Sequence, residues 1–211
     1  MKPGSIHERN SNQSLLLNSD LISSAVQQLA GSNTQNRGAV FTRREVVDLI
    51  LDLIDYTPSP GLHTARLLEP SFGEGDFLIP AIERLIVSLH KYHTDDALNF
   101  KLIKKSVRAV ELHRDSFNET RAKLKKILQG NGFSSAQTKS LLDAWLIQSD
   151  FLLTDFEHSF THIVGNPPYI RQEMIPAPLL AEYRCRYETI YDRADIYIPF
   201  FEHSLKLLDF R

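Results

Sequence analysis

Four consecutive residues, Asn166-Pro167-Pro168-Tyr169, carry the most concentrated chemistry in this 211-residue chain. They close an apolar run, Ile163-Val164-Gly165, that reads as a buried strand. Two successive prolines remove two backbone donors and fix φ twice, and the residue before each is driven toward extended backbone. The outcome is a stiff turn presenting a side-chain amide, an unpaired carbonyl and an aromatic face. It sits at a strand's C-terminal edge, where open α/β sheets bind ligands. A plain proline turn is the simpler account of a Pro-Pro pair. The partners that the rest of the chain supplies argue against it.

The first partner is Glu69-Pro70-Ser71-Phe72-Gly73-Glu74-Gly75-Asp76-Phe77-Leu78, which turns out of a short strand at Ala65–Glu69. A helix is predicted to follow, from about Phe77 to His90. Glycines in such a turn let backbone approach a ligand closely at the helix N-terminus. The next predicted strand, Ser106–Glu111, ends in an acid followed by Leu112. A carboxylate at that place can accept both ribose hydroxyls of an adenosine cofactor. A third strand, Ala144–Gln148, leads to Asp150-Phe151. There the carboxylate can take the exocyclic amine of an adenine and the ring can pack on the base; capping of the following turn explains Asp150 equally well. Thr161–Gly165, the fourth strand, delivers the proline turn.

Strands alternating with helical segments predict an α/β fold with a mostly parallel, Rossmann-like sheet. Upstream, the stretch to about Ser19 is polar and reads as a loose arm, followed by a short helix at Leu21–Leu29. Phe41-Thr42-Arg43-Arg44-Glu45-Val46 has the pattern of a helix start, with Thr42 as N-cap, Glu45 closing a capping box and Phe41 stapled to Val46. Tyr92–Asn99 reads as extra loop. Arg114–Gln129 is a basic amphipathic helix, and another short helix runs from Ser134 or Ser135 to Asp143. Pro176 and Pro178 forbid one continuous helix after Ile170. A last helix opens at Asp195-Ile196-Tyr197-Ile198-Pro199-Phe200 and runs to Leu208.

Composition narrows the class. The chain is 42% hydrophobic and 24% charged, with a net charge of −2, so nothing overall advertises polyanion binding. No apolar run approaches the roughly 18 residues that span a bilayer, and Met1–Ser14 lacks the apolar centre of a signal peptide. The single Cys185 excludes an internal disulfide and a cysteine-based zinc cluster. His90-x-x-His93 lacks a third ligand, and the Lys101/Lys104/Lys105 and Lys123/Lys125/Lys126 groups read as solvated faces. The expectation is a cytoplasmic protein without a bound metal.

Taken in order, these stretches resemble the S-adenosylmethionine-dependent adenine-N6 DNA methyltransferases of bacterial restriction–modification systems, in the motif order called γ. The likeness covers about Gly38 to Leu208. It implies a class I methyltransferase fold and S-adenosylmethionine as cofactor. It implies cofactor contacts from Phe41 and Thr42, from Glu69, Pro70, Ser71, Gly73 and Gly75, from Glu111 and Leu112, from Asp150 and Phe151, and from Phe200. Asn166, Pro167, Pro168 and Tyr169 become the catalytic tetrapeptide, and the partner becomes double-stranded DNA with a flipped adenine.

The family's sheet has seven strands, of which four are legible here. The expected division is therefore an N-terminal arm over 1–37 and a catalytic domain over 38–211 that stops before its fifth strand. A missing C-terminal part would carry target recognition, and the fourth strand would be left as an unpaired edge. Other readings remain: a methyltransferase acting on a protein glutamine or an RNA base with the same tetrapeptide, or an inactive cofactor-binding remnant or subunit.

Overall fold

A computed structural model of the chain describes residues 19–31, 41–92, 96–191 and 195–209, with the side chains of 96–99 left aside. Four parallel strands form one sheet in the order β3-β2-β1-β4. They are β1 (Leu67–Glu69), β2 (Val107–Glu111), β3 (Leu146–Gln148) and β4 (His162–Ile163). The chain steps outward from β1 to β3 and then returns to the opposite side of β1. That reversal makes the gap between the C-terminal ends of β1 and β4 the topological switch point, where such sheets bind ligands.

The period-2 alternation of the strands sorts their side chains between two cores. Leu67, Val107 and Ala109 join one, with buried residues of α2 (Arg44–Leu53), α3 (Leu78–Tyr92), α5 (Arg114–Gly130) and α6 (Ser135–Trp145). Leu68 and Val110 join the other, under the helix at 19–30 (α1), α7 (Ala177–Arg186) and α8 (Tyr197–Leu207). The expected N-terminal helix is thus present and packed into the domain through Ala25 and Leu29. The arm before residue 19 and the expected boundary at 37/38 lie outside the described residues.

Two local expectations are corrected. Tyr92–Asn99 is not all loop: Asp96–Ser106 forms a helix, α4. Its Ile103 is buried, and the Ile103 carbonyl accepts a hydrogen bond of 2.9 Å from Trp145 Nε1 on α6. Thr42 is not an N-cap, because α2 starts one residue later behind Arg43, without a side-chain cap. Phe41 and Val46, 72% and 45% exposed, do not form a staple. Just before β4, Phe160 forms an isolated parallel bridge with Leu208, through Phe160 N–H to the Leu207 carbonyl and Asp209 N–H to the Phe160 carbonyl, both 2.8 Å.

The glycine turn after β1 is held from above by α5, where Thr120 Oγ1 donates to the Gly73 carbonyl at 2.8 Å and Lys123 Nζ to that of Glu74 at 3.1 Å. Both glycines are left-handed, with φ of 48° at Gly73 and 91° at Gly75. A Cβ on Gly75 would lie 2.9 Å from Ile79 Cδ1 and 3.0 Å from Thr120 Cγ2, whereas one on Gly73 would meet nothing within 4 Å. Gly75→Ala should therefore cost roughly 2–3 kcal/mol in urea unfolding and Gly73→Ala about 1 kcal/mol; equal costs would show that the packing against α5 is not the constraint.

Candidate active site

The turns that leave β1 and β4 meet at the switch point. Ser71 Oγ donates to the Asn166 carbonyl at 3.2 Å, tying the glycine turn to the proline turn. A cleft with an empty volume of about 850 Å³, its mouth included, opens between them. Pro70, Ser71, Gly73, Glu111, Leu112, Asp150, Phe151, Asn166, Pro168 and Phe200 all line it. Most of the residues singled out from sequence thus share one cavity.

Glu111 locks the β2 edge. Its Oε2 accepts from Gly73 N–H at 2.8 Å and its Oε1 from His113 N–H at 2.7 Å. The Phe72 N–H, bonded at 3.0 Å to the Val110 carbonyl, adds a second tie between the turn and β2. Asp150 is buried. Its Oδ1 accepts from Leu152 N–H at 2.9 Å, so it does cap a one-turn helix at Phe151–Leu153, and its Oδ2 accepts from the Tyr183 hydroxyl. Burial pushes the Asp150 carboxyl up, against the pull of the Tyr183 and backbone hydrogen bonds. Phe151 is 2% exposed and packs on Phe200 with ring centroids 5.0 Å apart. Most of its surface is already covered by the core.

The other candidates surround the cleft without lining it. Glu69 is 1% exposed, and its Oε2 has no hydrogen-bond partner among the described residues. Burial, together with the charges of Asp76 and Glu111, pushes its carboxyl well above the usual range. Gly75 is buried against α5. Pro167 faces a neighbouring apolar cavity along α8, which shares Pro70, Ser71 and Phe200 with the cleft. Tyr169 stands outside, 51% exposed, with its ring 5.7 Å from that of Tyr197. Phe41 is exposed and away from the cleft lining. Thr42 meets the proline turn directly: Asn166 Nδ2 donates to Thr42 Oγ1 at 3.3 Å, and Thr42 N–H donates to Asp76 Oδ2 at 2.8 Å.

The model of one family, the Eco57I restriction-modification methylases, matches residues 27–210. The chain belongs to that family. Among curated relatives, the Type II methyltransferase M.PaeR7I of Pseudomonas aeruginosa is 55% identical over 172 residues, covering 82% of this chain and 30% of its own length. M.XhoI of Xanthomonas vasicola is 46% identical over 172 residues, with 82% of this chain and 32% of its own length covered. M.BstVI of Geobacillus stearothermophilus is 45% identical over 177 residues, the shares being 81% and 31%. The chain thus spans about a third of these relatives. A crystal structure from Listeria monocytogenes, assigned to the class I S-adenosylmethionine-dependent methyltransferases, aligns with a TM-score of 0.52 at 12% identity, over 91% of this chain and 51% of that one. That likeness shows the class I methyltransferase fold expected from the strand and helix order.

Several cleft residues of this family member carried no sequence signal. Leu29 of α1 lines the cleft, and the neighbouring Ala30 carbonyl accepts from His113 Nδ1 at 2.9 Å. Tyr183 of α7 closes the side at Asp150. Both come from helices remote in sequence, and only the fold brings them in. Among the described residues no group of three or more His, Cys, Asp or Glu could hold a metal ion, and no helix is long and apolar enough to cross a membrane. His93 lies outside the described residues.

The buried Glu69 sets a pH dependence. A carboxyl whose folded-state pKa stands above its unfolded value keeps its proton in the fold after the unfolded chain has released it. The stability linked to Glu69 is therefore full below the ordinary carboxylate range and falls as pH rises toward the raised folded value. Urea midpoints should drop between about pH 5 and pH 8. Glu69→Gln should flatten that drop and raise the midpoint at pH 8. A lower midpoint for the variant at pH 8 would mean that the carboxylate is stabilised by its surroundings.

Proposed function

We propose that this chain supplies the cofactor cleft and the catalytic turn of a restriction–modification enzyme that methylates DNA from S-adenosylmethionine, the acceptor being the N6 amine of an adenine flipped out of the duplex. One observation carries the reading: Asn166 stands at the rim of the switch-point cleft, its backbone held by Ser71. Membership of a methylase family and relatives named as Type II methyltransferases support it.

The donor set suits this cofactor. Glu69 is a buried carboxyl with an unpartnered oxygen beside two further acids, a group whose ionised form a nearby positive charge would favour. S-adenosylmethionine carries a sulfonium and an ammonium, and when bound it supplies an electrophilic methyl group. Glu111, already fixed by Gly73 and His113, retains lone pairs for ribose hydroxyls. Asp150 and Phe200 would border the adenine, and Gly73 would bring backbone close to the ligand.

The reaction itself asks the protein for alignment and water exclusion. An exocyclic amine is a weak nucleophile while its lone pair is delocalised into the ring. The Asn166 side-chain oxygen and the Pro167 carbonyl can each accept one amine hydrogen, drawing the nitrogen toward a tetrahedral, reactive shape. Tyr169, half exposed beside them, offers its face to the extrahelical base and offsets part of the few kcal/mol lost on unstacking. Recognition of the target sequence is assigned to a part outside the stretch that the relatives share with this chain, and the enzyme is assigned to the bacterial cytoplasm.

Radiolabelled methyl transfer, run on duplex DNA, RNA and protein with the C-terminal portion present, separates the candidate substrates; N6-methyladenine in DNA is expected. Asn166→Ala should lower transfer about 100-fold or more while S-adenosylmethionine affinity stays within about twofold. Equal loss of both would remove the assigned role of Asn166.

A further inference from the structure

Asp150 reaches the cleft wall with much of its hydrogen-bonding capacity already engaged. Its Oδ1 accepts from Leu152 N–H at 2.9 Å and its Oδ2 from the Tyr183 hydroxyl. The first bond is local. The second comes from α7, 33 residues along the chain, and Tyr183 is 1% exposed, so water does not compete for the contact. A carboxylate offers about four lone-pair sites and no donor. An ionised Asp150 and the Tyr183 oxygen are both acceptors, so only the phenolic proton can join them. Burial holds that proton on Tyr183, whose hydroxyl is pushed well above its ordinary range. The contact therefore favours the charged form of Asp150, whereas burial favours the neutral one. The other charged and titratable groups around Asp150 are Glu182, Arg186 and Tyr187 of α7 and, across the cleft, Glu74, Glu111 and His113.

We propose that Tyr183 is a positioning residue that keeps Asp150 a hydrogen-bond acceptor at the cleft wall, and thereby selects a purine ligand carrying an exocyclic amine over one carrying a carbonyl. The inference rests on the S-adenosylmethionine reading of the cleft for its ligand, but not for the contact itself. An ionised carboxylate accepts from an exocyclic amine and repels a carbonyl, since two acceptors then face each other. A protonated Asp150 has an O–H that can donate to the carbonyl, and the discrimination is lost. Tyr183 acts through Asp150 in setting this choice. Tyr187 supplies a comparison from the same helix: it too is buried and donates, to the Leu152 carbonyl at 2.6 Å, but it makes no hydrogen bond to Asp150.

Tyr183→Phe keeps the ring and removes the proton, and Tyr187→Phe does the same one turn along α7. In the 211-residue chain the Asp150 carboxyl is assigned in ¹³C spectra by its disappearance in Asp150→Asn, and is then titrated. It should titrate about one pH unit higher in Tyr183→Phe, the value of a hydrogen bond to a charged group, and at the parent's position in Tyr187→Phe. An Asp150 titration that is indifferent to Tyr183→Phe, or shifted alike by both variants, would overturn the proposal. Calorimetry then compares S-adenosylmethionine with its inosine counterpart, which carries a carbonyl in place of the amine. The parent should prefer the adenosine form. At pH 6, Tyr183→Phe should narrow that preference by up to about tenfold, because the adenosine form binds more weakly and the inosine form no worse. Equal weakening of both ligands would reduce Tyr183 to a structural wall of the cleft and sink the selective role. No binding of S-adenosylmethionine by the folded parent, with Asp150 titrating as expected, would strike the cofactor reading and the ligand choice with it, leaving the Tyr183–Asp150 link standing.

Discussion

The parallel pairing of β4 with β1 is the constraint on which the site depends. It is short, with Leu67 opposite His162, Leu68 opposite Ile163 and one further bond of 3.0 Å from Val164 N–H to the Leu68 carbonyl. Yet it places the exits of the two strands next to each other at the point where strand order reverses. Everything chemical follows from that adjacency. Residues 70–75 and 166–169 lie about a hundred positions apart in sequence and become the two lips of one cleft. The short pairing is backed by side chains: Arg66 N–H donates to Thr161 Oγ1 at 2.9 Å, and Arg66 Nε to the Ser159 carbonyl at 2.7 Å.

A second feature is the way backbone donors around the cleft are satisfied by acids rather than by regular structure. Glu111 takes two, Asp150 takes one, and Asp76 takes that of Thr42. Such charge-assisted bonds are stronger than neutral ones, and they hold loops that no strand ladder covers. Negative charge is thereby concentrated at the C-terminal edge of the sheet. Glu69, buried beside two of these acids, bears the cost as a raised pKa. The same arrangement that rigidifies the turns makes the cleft hospitable to a cation.

Much of this was legible in the sequence because the informative residues are local. A strand followed by glycines, a strand ending in an acid, and a strand ending in Asn-Pro-Pro-Tyr each announce an edge without reference to the rest of the fold. The failures arose where a tertiary partner outbid a local preference. Thr42 looks like an N-cap until Asn166 claims its hydroxyl. Tyr92–Asn99 reads as extra loop, but Asp96–Ser106 is a helix anchored through Ile103 and the Trp145 indole. Asp150 was placed correctly at the strand edge, while its partner Tyr183, from a helix that the prolines obscured, could not be anticipated. Leu29 belongs to a helix read as a peripheral arm, although its side chain helps to wall the cleft.

Calorimetric titration of the folded 211-residue chain with S-adenosylmethionine, beside Glu111→Ala, tests most directly whether four strands build a working cofactor site. Saturable one-site binding that the substitution weakens is the expected result. Absence of binding by a chain whose far-ultraviolet circular dichroism shows its helices and strands in place would contradict the assignment of the switch-point cleft to this cofactor.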